Sequence, residues 1–222
     1  MFRFREKPIG VTGDIKDMFL RIKIRAEDQH ALQFLWRDQK SAQPIRQSKC
    51  AMTSLIFGAN CSPFIAQFVK NQNALRFSEE MPKAVEAILS AHYMDDYIQC
   101  HDSESDAIKV IQDVEYIHKQ GGFHIRNWIS NNLNLLRAMP EATISNNEIW
   151  SSNKNYSERV LGMLWYPSTD SFGFDLSLER IPKTILDMTK QPTKREVLRI
   201  TMSIYDIFGI LSPFIICAKI IL

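Results

Sequence analysis

Residues 92–100 read HYMDDYIQC, with Asp95 and Asp96 set between the short apolar stretches Tyr93-Met94 and Tyr97-Ile98. Acidic residues suit a turn and apolar flanks suit strands, so the segment predicts a β-hairpin with acidic turn residues. Taken alone, such a pair is an ordinary solvated turn. It nevertheless fixes an antiparallel strand pair in mid-chain, and the neighbouring segments decide what that pair joins.

Residues 10–24, GVTGDIKDMFLRIKI, predict a strand in which Leu20, Ile22 and Ile24 alternate with Arg21 and Lys23. Residues 29–38 predict another, and residues 53–59, TSLIFGA, a strand running into a loop. Ser62-Pro63 opens a helix reaching Leu75, because proline suits a first helical turn. A second helix is expected over 80–90, with Pro82 near its start. Residues 103–120 carry the clearest helical pattern, with Ala107, Ile108, Val110, Ile111, Val114 and Ile117 recurring on one side. Ser103 or Ser105 can cap it and Gly121-Gly122 stops it. After a polar stretch at 145–157, RVLGMLWYP and SFGFDLSL predict two strands around a turn at Ser168-Thr169-Asp170. A final helical segment starts at Pro192-Thr193-Lys194-Arg195. This order predicts an α+β fold, an antiparallel sheet with helices on one face.

The 222 residues, 45% hydrophobic and 23% charged, can bury a sizeable core as one domain or slightly more. A net charge of +2 does not announce nucleic-acid binding, yet it leaves room for a local basic groove. Cys50, Cys61, Cys100 and Cys217 are far apart, which argues against a zinc knuckle or a disulfide framework and fits a reducing compartment. The N-terminus, MFRFREKP, has no apolar signal core, and the apolar C-terminal run FGILSPFIICAKIIL is too short for a membrane span. That run ends without a cap or polar tail, which predicts a chain cut inside a larger protein.

Asp14 is the other carboxylate in an apolar setting, in TGDIKDMF. If Asp14 ends one strand and the hairpin pairs beside it, three carboxylates converge at one sheet edge. Such a cluster repels itself unless a cation neutralises it. Mg²⁺ takes oxygen ligands, and two ions about 3.5–4 Å apart form the clamp of polymerases and nucleases.

YMDD at 93–96 resembles the signature of reverse transcriptases. DIKDMF at 14–19 is similar to the first catalytic motif of retroelement polymerases, FGANCSPFIAQF at 57–68 to the second, and LGMLW at 161–165 to the motif that grips the primer end. The flanks RFREKPIGVTGDIKDMFLRIKI, ALQFLWR, GGFHIRNWISN and TKREVLRITMSIYDIFGILSPF resemble the Pao/BEL class of long-terminal-repeat retrotransposons. The resemblance covers nearly the whole chain.

It implies a reverse-transcriptase palm with a ferredoxin-like sheet over residues 1–165, fingers largely missing. Residues 166–222 would hold the rest of the primer-grip hairpin and a truncated start of the helical thumb or connection. It implies Asp14, Asp95 and Asp96 as catalytic residues, binding two Mg²⁺ or Mn²⁺ ions with help from the Ile15 carbonyl. Phe19 falls at the steric gate that favours deoxynucleotides, and Gly58, Ser62 and Pro63 shape the floor under the incoming base pair. Tyr93 and Met94 would lie near primer and template, and Gly162 and Trp165 in the primer grip. The implied partners are an RNA or DNA template with primer, dNTPs, and a parent polyprotein with protease, RNase H and integrase. No membrane is implied, and the implied location is a cytoplasmic particle.

Two positions depart from the pattern. Phe57 stands where retroviral enzymes carry a glutamine, which removes a side-chain contact to the nucleotide. Arg126 is the local cation where a general-acid lysine is usual. A guanidinium hardly deprotonates, so Arg126 is expected to contact a phosphate or a neighbouring carboxylate. Two other functions compete with an active RNA/DNA-templated DNA polymerase. One is a truncated, inactive palm relic that at most binds nucleic acid. The other is a small-molecule Mg²⁺ enzyme on a similar sheet, such as a nucleotide cyclase, which leaves the second and primer-grip motifs unexplained.

Overall fold

The computed structural model describes residues 2–37, 47–139, 156–178, 181–187 and 189–221. Chain contacts divide it into two units, 1–144 and 145–222.

In the first unit, β1 (Ile9–Ile15) is followed by the helical turn α1 (Met18–Arg21). Asp17 breaks the extended run with a left-handed φ of 53°. The alternation of Leu20, Ile22 and Ile24 is therefore not a continuation of the strand. Leu20 is exposed and Ile22 buried because a helical turn intervenes. A 3₁₀ segment, Ala26–Leu32, leads into a hairpin of β2 (Gln33–Arg37) and β3 (Gln47–Ala51). The strand expected at 53–59 is displaced to 47–51, and the later segment keeps one isolated bridge, Lys23 to Ser54. The apolar run at Leu55-Ile56-Phe57 carried the expectation, but pairing with β2 recruits the more polar QSKCA.

Helices α2 (Ser62–Leu75) and α3 (Pro82–Ser90) precede a tight hairpin of β4 (His92–Tyr93) and β5 (Asp96–His101). Then come α4 (Glu104–Gln120), β6 (Ile125–Ser130) and α5 (Leu133–Ala138). Ser103 caps α4, its hydroxyl accepting from the Asp106 N–H at 3.3 Å. The apolar stripe of α4, including Ala107, Ile111, Val114 and Ile117, is buried. The sheet is antiparallel at every pairing and ordered β4–β5–β1–β6, so β1 is flanked on both sides. Val11, Gly13 and Ile15 share one face of β1. Gly13 has no room for a side chain there, since a Cβ would lie 2.8 Å from Ile125 and 2.9 Å from Trp128. Asn73 ties α2 to α4 by donating to the Ile117 carbonyl at 2.7 Å.

The second unit has a three-stranded antiparallel sheet, β7 (Glu158–Val160), β8 (Met163–Tyr166) and β9 (Ser171–Gly173). Leu161 and Gly162 link β7 to β8 with φ of 48° and 85°. Positive φ at both central residues is what a two-residue hairpin loop demands and glycine supplies cheaply. Helices α6 (Lys183–Leu186), α7 (Lys194–Ser203) and α8 (Ser212–Ile221) follow. Thr193 and Glu196 close a capping box at the start of α7. Of the polar stretch at 145–157, residues 145–155 lie outside the described residues. The mixed sheet-and-helix composition is the α+β class expected from the sequence. The four cysteines are free. Among the described residues, no helix is long and apolar enough to cross a membrane.

Candidate active site

Antiparallel pairing puts Asp14 at the end of β1 directly opposite Asp96 of β5 and opposite Arg126 of β6. Residues directly opposite share a sheet face, so a row of two carboxylates and one guanidinium crosses three strands. The hairpin turn is Met94-Asp95, with Met94 at a φ of 58°. Asp96 is thus the first residue of β5 rather than part of the turn. The Asp95 carbonyl accepts from the Ile15 N–H at 2.8 Å, which fastens the hairpin tip to the end of β1.

Like charges directly opposite are unfavourable. Burial, then the neighbouring charges of Asp95 and Asp14, push the Asp96 carboxyl up to about 6. Asp14 has its own compensation. Arg126 donates from Nε to Asp14 Oδ2 at 2.9 Å, and Asn127 from Nδ2 to Oδ1 at 2.7 Å. The hydrogen bond and then the charge of Asp14 raise the Arg126 pKa above its ordinary value.

The donor chemistry, oxygen ligands on carboxylates gathered at neighbouring strand ends, is the kind a hard divalent cation prefers. Asp14 is paired with the Arg126 guanidinium. As the side chains are placed, however, no group of three or more His, Cys, Asp or Glu among the described residues could hold a metal ion. The expected convergence is therefore one of neighbours, not of a ready-made cage. Both oxygens of Asp14 are engaged by β6.

The other predicted positions are distributed as follows. Phe19 is 7% exposed, with its ring 4.5 Å from that of Phe57. Gly58 is exposed at a φ of 90°, and a Cβ there would meet nothing within 4 Å, so its backbone conformation and not crowding favours glycine. Ser62 is fully buried at the head of α2, its hydroxyl without a hydrogen-bond partner among the described residues, and Pro63 follows it exposed. Tyr93 is exposed on the hairpin, while Met94 is partly covered. In the second unit, Gly162 lies against the Tyr205 ring, and Trp165 is buried with its Nε1 donating to Asp170 at 3.3 Å.

Several contributors were not foreseen. Gln67, on α2, donates to the Met94 carbonyl at 3.3 Å and so steadies the hairpin tip. Its signal was its place one turn beyond Pro63. Lys70, one turn further, is 2% exposed and donates to the Ile88 carbonyl at 3.1 Å. Burial lowers its pKa to about 8. His92, the first residue of β4, packs its ring 5.1 Å from Tyr97 and 5.0 Å from His118. Burial, then the charges of His118 and Lys70, holds its pKa well below the usual range. Asn127 was foreseeable only as the neighbour of Arg126.

A comparison with curated proteins found no match. A family model described as "Reverse transcriptase (RNA-dependent DNA polymerase)" matches residues 2–128, more than half of the chain, a span that contains Asp14, Asp95, Asp96, Arg126 and Asn127. Membership implies a nucleic-acid template and dNTPs as partners. The chain belongs to the reverse transcriptase family, RNA-dependent DNA polymerases.

Proposed function

We propose that this chain supplies the polymerase centre of a retrotransposon of the Pao/BEL type, and that Asp14, Asp95 and Asp96 carry its nucleotidyl transfer. The observation that carries this reading is the cross-strand row. Asp14 faces Asp96 across β1 and β5, and the Ile15 N–H bonds the Asp95 backbone. A sheet that concentrates like charges at one edge sacrifices stability unless a cation shares them.

Asp14, Asp95 and Asp96, with the Ile15 carbonyl, would hold two Mg²⁺ or Mn²⁺ ions. When bound, such ions activate the primer's attacking oxygen and steady the leaving pyrophosphate. Gln67 and the Asp95–Ile15 bond hold the hairpin tip so that its carboxylates stay beside Asp14. Phe19, backed by Phe57, is the steric gate against a ribose 2′-OH. Gly58, Ser62 and Pro63 lie under the incoming base pair, and Tyr93 and Met94 beside primer and template. Gly162 and Trp165 grip the primer end. Arg126 contacts the phosphates once Asp14 is engaged elsewhere. We place residues 1–165 in the palm and 166–222 in the remainder of the primer-grip hairpin and the start of the thumb or connection. The parent would be a polyprotein with protease, RNase H and integrase, acting in cytoplasmic particles.

Primer extension tests the reading. A primer–template, Mg²⁺ or Mn²⁺ and dNTPs should give extension, with rNTPs used poorly. If neither the folded chain nor a version joined to fingers and thumb segments extends a primer, the polymerase reading is refuted.

A further inference from the structure

β6 is irregular where it faces Asp14. Its register to β1 slips between Thr12 and Asp14: Thr12 pairs with Ile129, but Asp14 pairs with Arg126. One extra residue is therefore accommodated in β6, and Asn127 has a left-handed φ of 54°. Such bulges re-aim side chains. Consecutive residues of a regular strand point to opposite faces. Here Arg126 and Asn127 both reach one carboxylate, each taking a different oxygen. Stability does not account for the arrangement. Arg126 is 48% and Asp14 23% exposed, and ion pairs this open contribute little.

We propose that Arg126 and Asn127 form a latch on Asp14: they hold its carboxylate when no divalent cation is bound, and they compete with that cation for it. This rests on Asp14 being a metal ligand, as proposed above. The latch fixes Asp14 facing the hairpin and offsets its repulsion with Asp96. An entering cation meets a positive charge on the same carboxylate, so binding requires the guanidinium to give way. Arg126 and Asn127 are thus positioning residues that set the affinity of the site.

Mn²⁺ binding to the full chain, followed by loss of the free-ion electron paramagnetic resonance signal, tests this without any turnover. Arg126→Gln should tighten Mn²⁺ binding about tenfold, the effect of removing one unit charge a few ångströms from a divalent ion in a solvent-like medium. Arg126→Lys keeps the charge and should stay within about twofold of wild type. Asn127→Gly suits the left-handed backbone but lacks the amide, and should tighten binding about twofold. It serves as the second variant if circular dichroism shows Arg126→Gln unfolded. The Arg126→Gln effect should shrink in an Asp14→Asn background, where only the through-space repulsion between guanidinium and ion remains. If Asp14→Asn weakens Mn²⁺ binding while Arg126→Gln and Asn127→Gly leave it unchanged, the latch is wrong and the metal site stands. If Asp14→Asn and Asp95→Asn both leave Mn²⁺ binding unchanged, the latch and the metal site fall together.

Discussion

Replacing Lys70 by Met should make the protein more stable. Lys70 is 2% exposed, and its ammonium donates to the Ile88 carbonyl. Burial lowers the pKa from 10.5 to about 8. At about 1.36 kcal/mol per tenfold, keeping the charge at pH 7 costs about 3 kcal/mol. Met fills a similar volume without charge but leaves the Ile88 carbonyl unpartnered, a loss of about 1–2 kcal/mol. The net gain at pH 7 is then about 1–2 kcal/mol. The pH dependence has a definite sign. The folded pKa is depressed, so the unfolded chain binds more protons between pH 8 and 10.5, and wild-type stability rises through that window. By pH 9.5 the advantage of Lys70→Met should have fallen by about 2 kcal/mol, to nothing. Urea unfolding of both proteins at pH 7 and 9.5 measures this. A Lys70→Met protein less stable than wild type at pH 7, or a difference that does not change with pH, would refute the reasoning. It would mean that the ammonium's bond to α3 outweighs its desolvation.

Gly13→Ala should cost about 1–3 kcal/mol in urea unfolding, because its Cβ would press on Ile125 and Trp128 at under 3 Å. His118 is buried, its Nδ1 2.8 Å from the Val114 carbonyl, and burial lowers its pKa to about 4. Its depressed pKa makes it a source of stability above pH 6.5 that fades as pH falls toward 4. Relative to His118→Leu, wild type should lose about 2 kcal/mol between pH 7.5 and 5, a difference that cancels the opposite titration of Asp96. Phe19→Ala should raise use of rNTPs relative to dNTPs in primer extension, and should also lower the unfolding midpoint, since about 3 kcal/mol of core packing is lost with a buried Phe.

Punctuation residues made the helices legible. Ser62-Pro63, Pro82, Ser103 and Gly121-Gly122 mark the ends of α2, α3 and α4 almost to the residue, because caps and prolines act locally. The hairpin at 92–101 was equally plain. Alternation was less dependable, as Leu20, Ile22 and Ile24 mimic a strand across a helical turn. β3 was hidden because QSKCA has no apolar period and is fixed by its partner strand. Asp14, Asp95 and Asp96 stand out in the sequence as candidates, and the cross-strand register explains how residues 81 and 82 positions apart become neighbours. The bulge at Asn127 could not. A left-handed residue that is not glycine leaves no mark in the composition, so two adjacent side chains reaching one carboxylate becomes visible only with the register of β6.

Asp14, Asp95 and Asp96, gathered where β1 meets the β4–β5 hairpin, are proposed to carry nucleotidyl transfer. The most direct measurement is single-turnover primer extension with Mg²⁺ by wild type, Asp14→Asn, Asp95→Asn and Asp96→Asn, each checked for an unchanged circular dichroism spectrum. Asp14→Asn and Asp95→Asn should lose about a hundredfold to a thousandfold or more in rate, while primer–template binding is retained. Extension by folded Asp95→Asn at the wild-type rate would contradict that assignment.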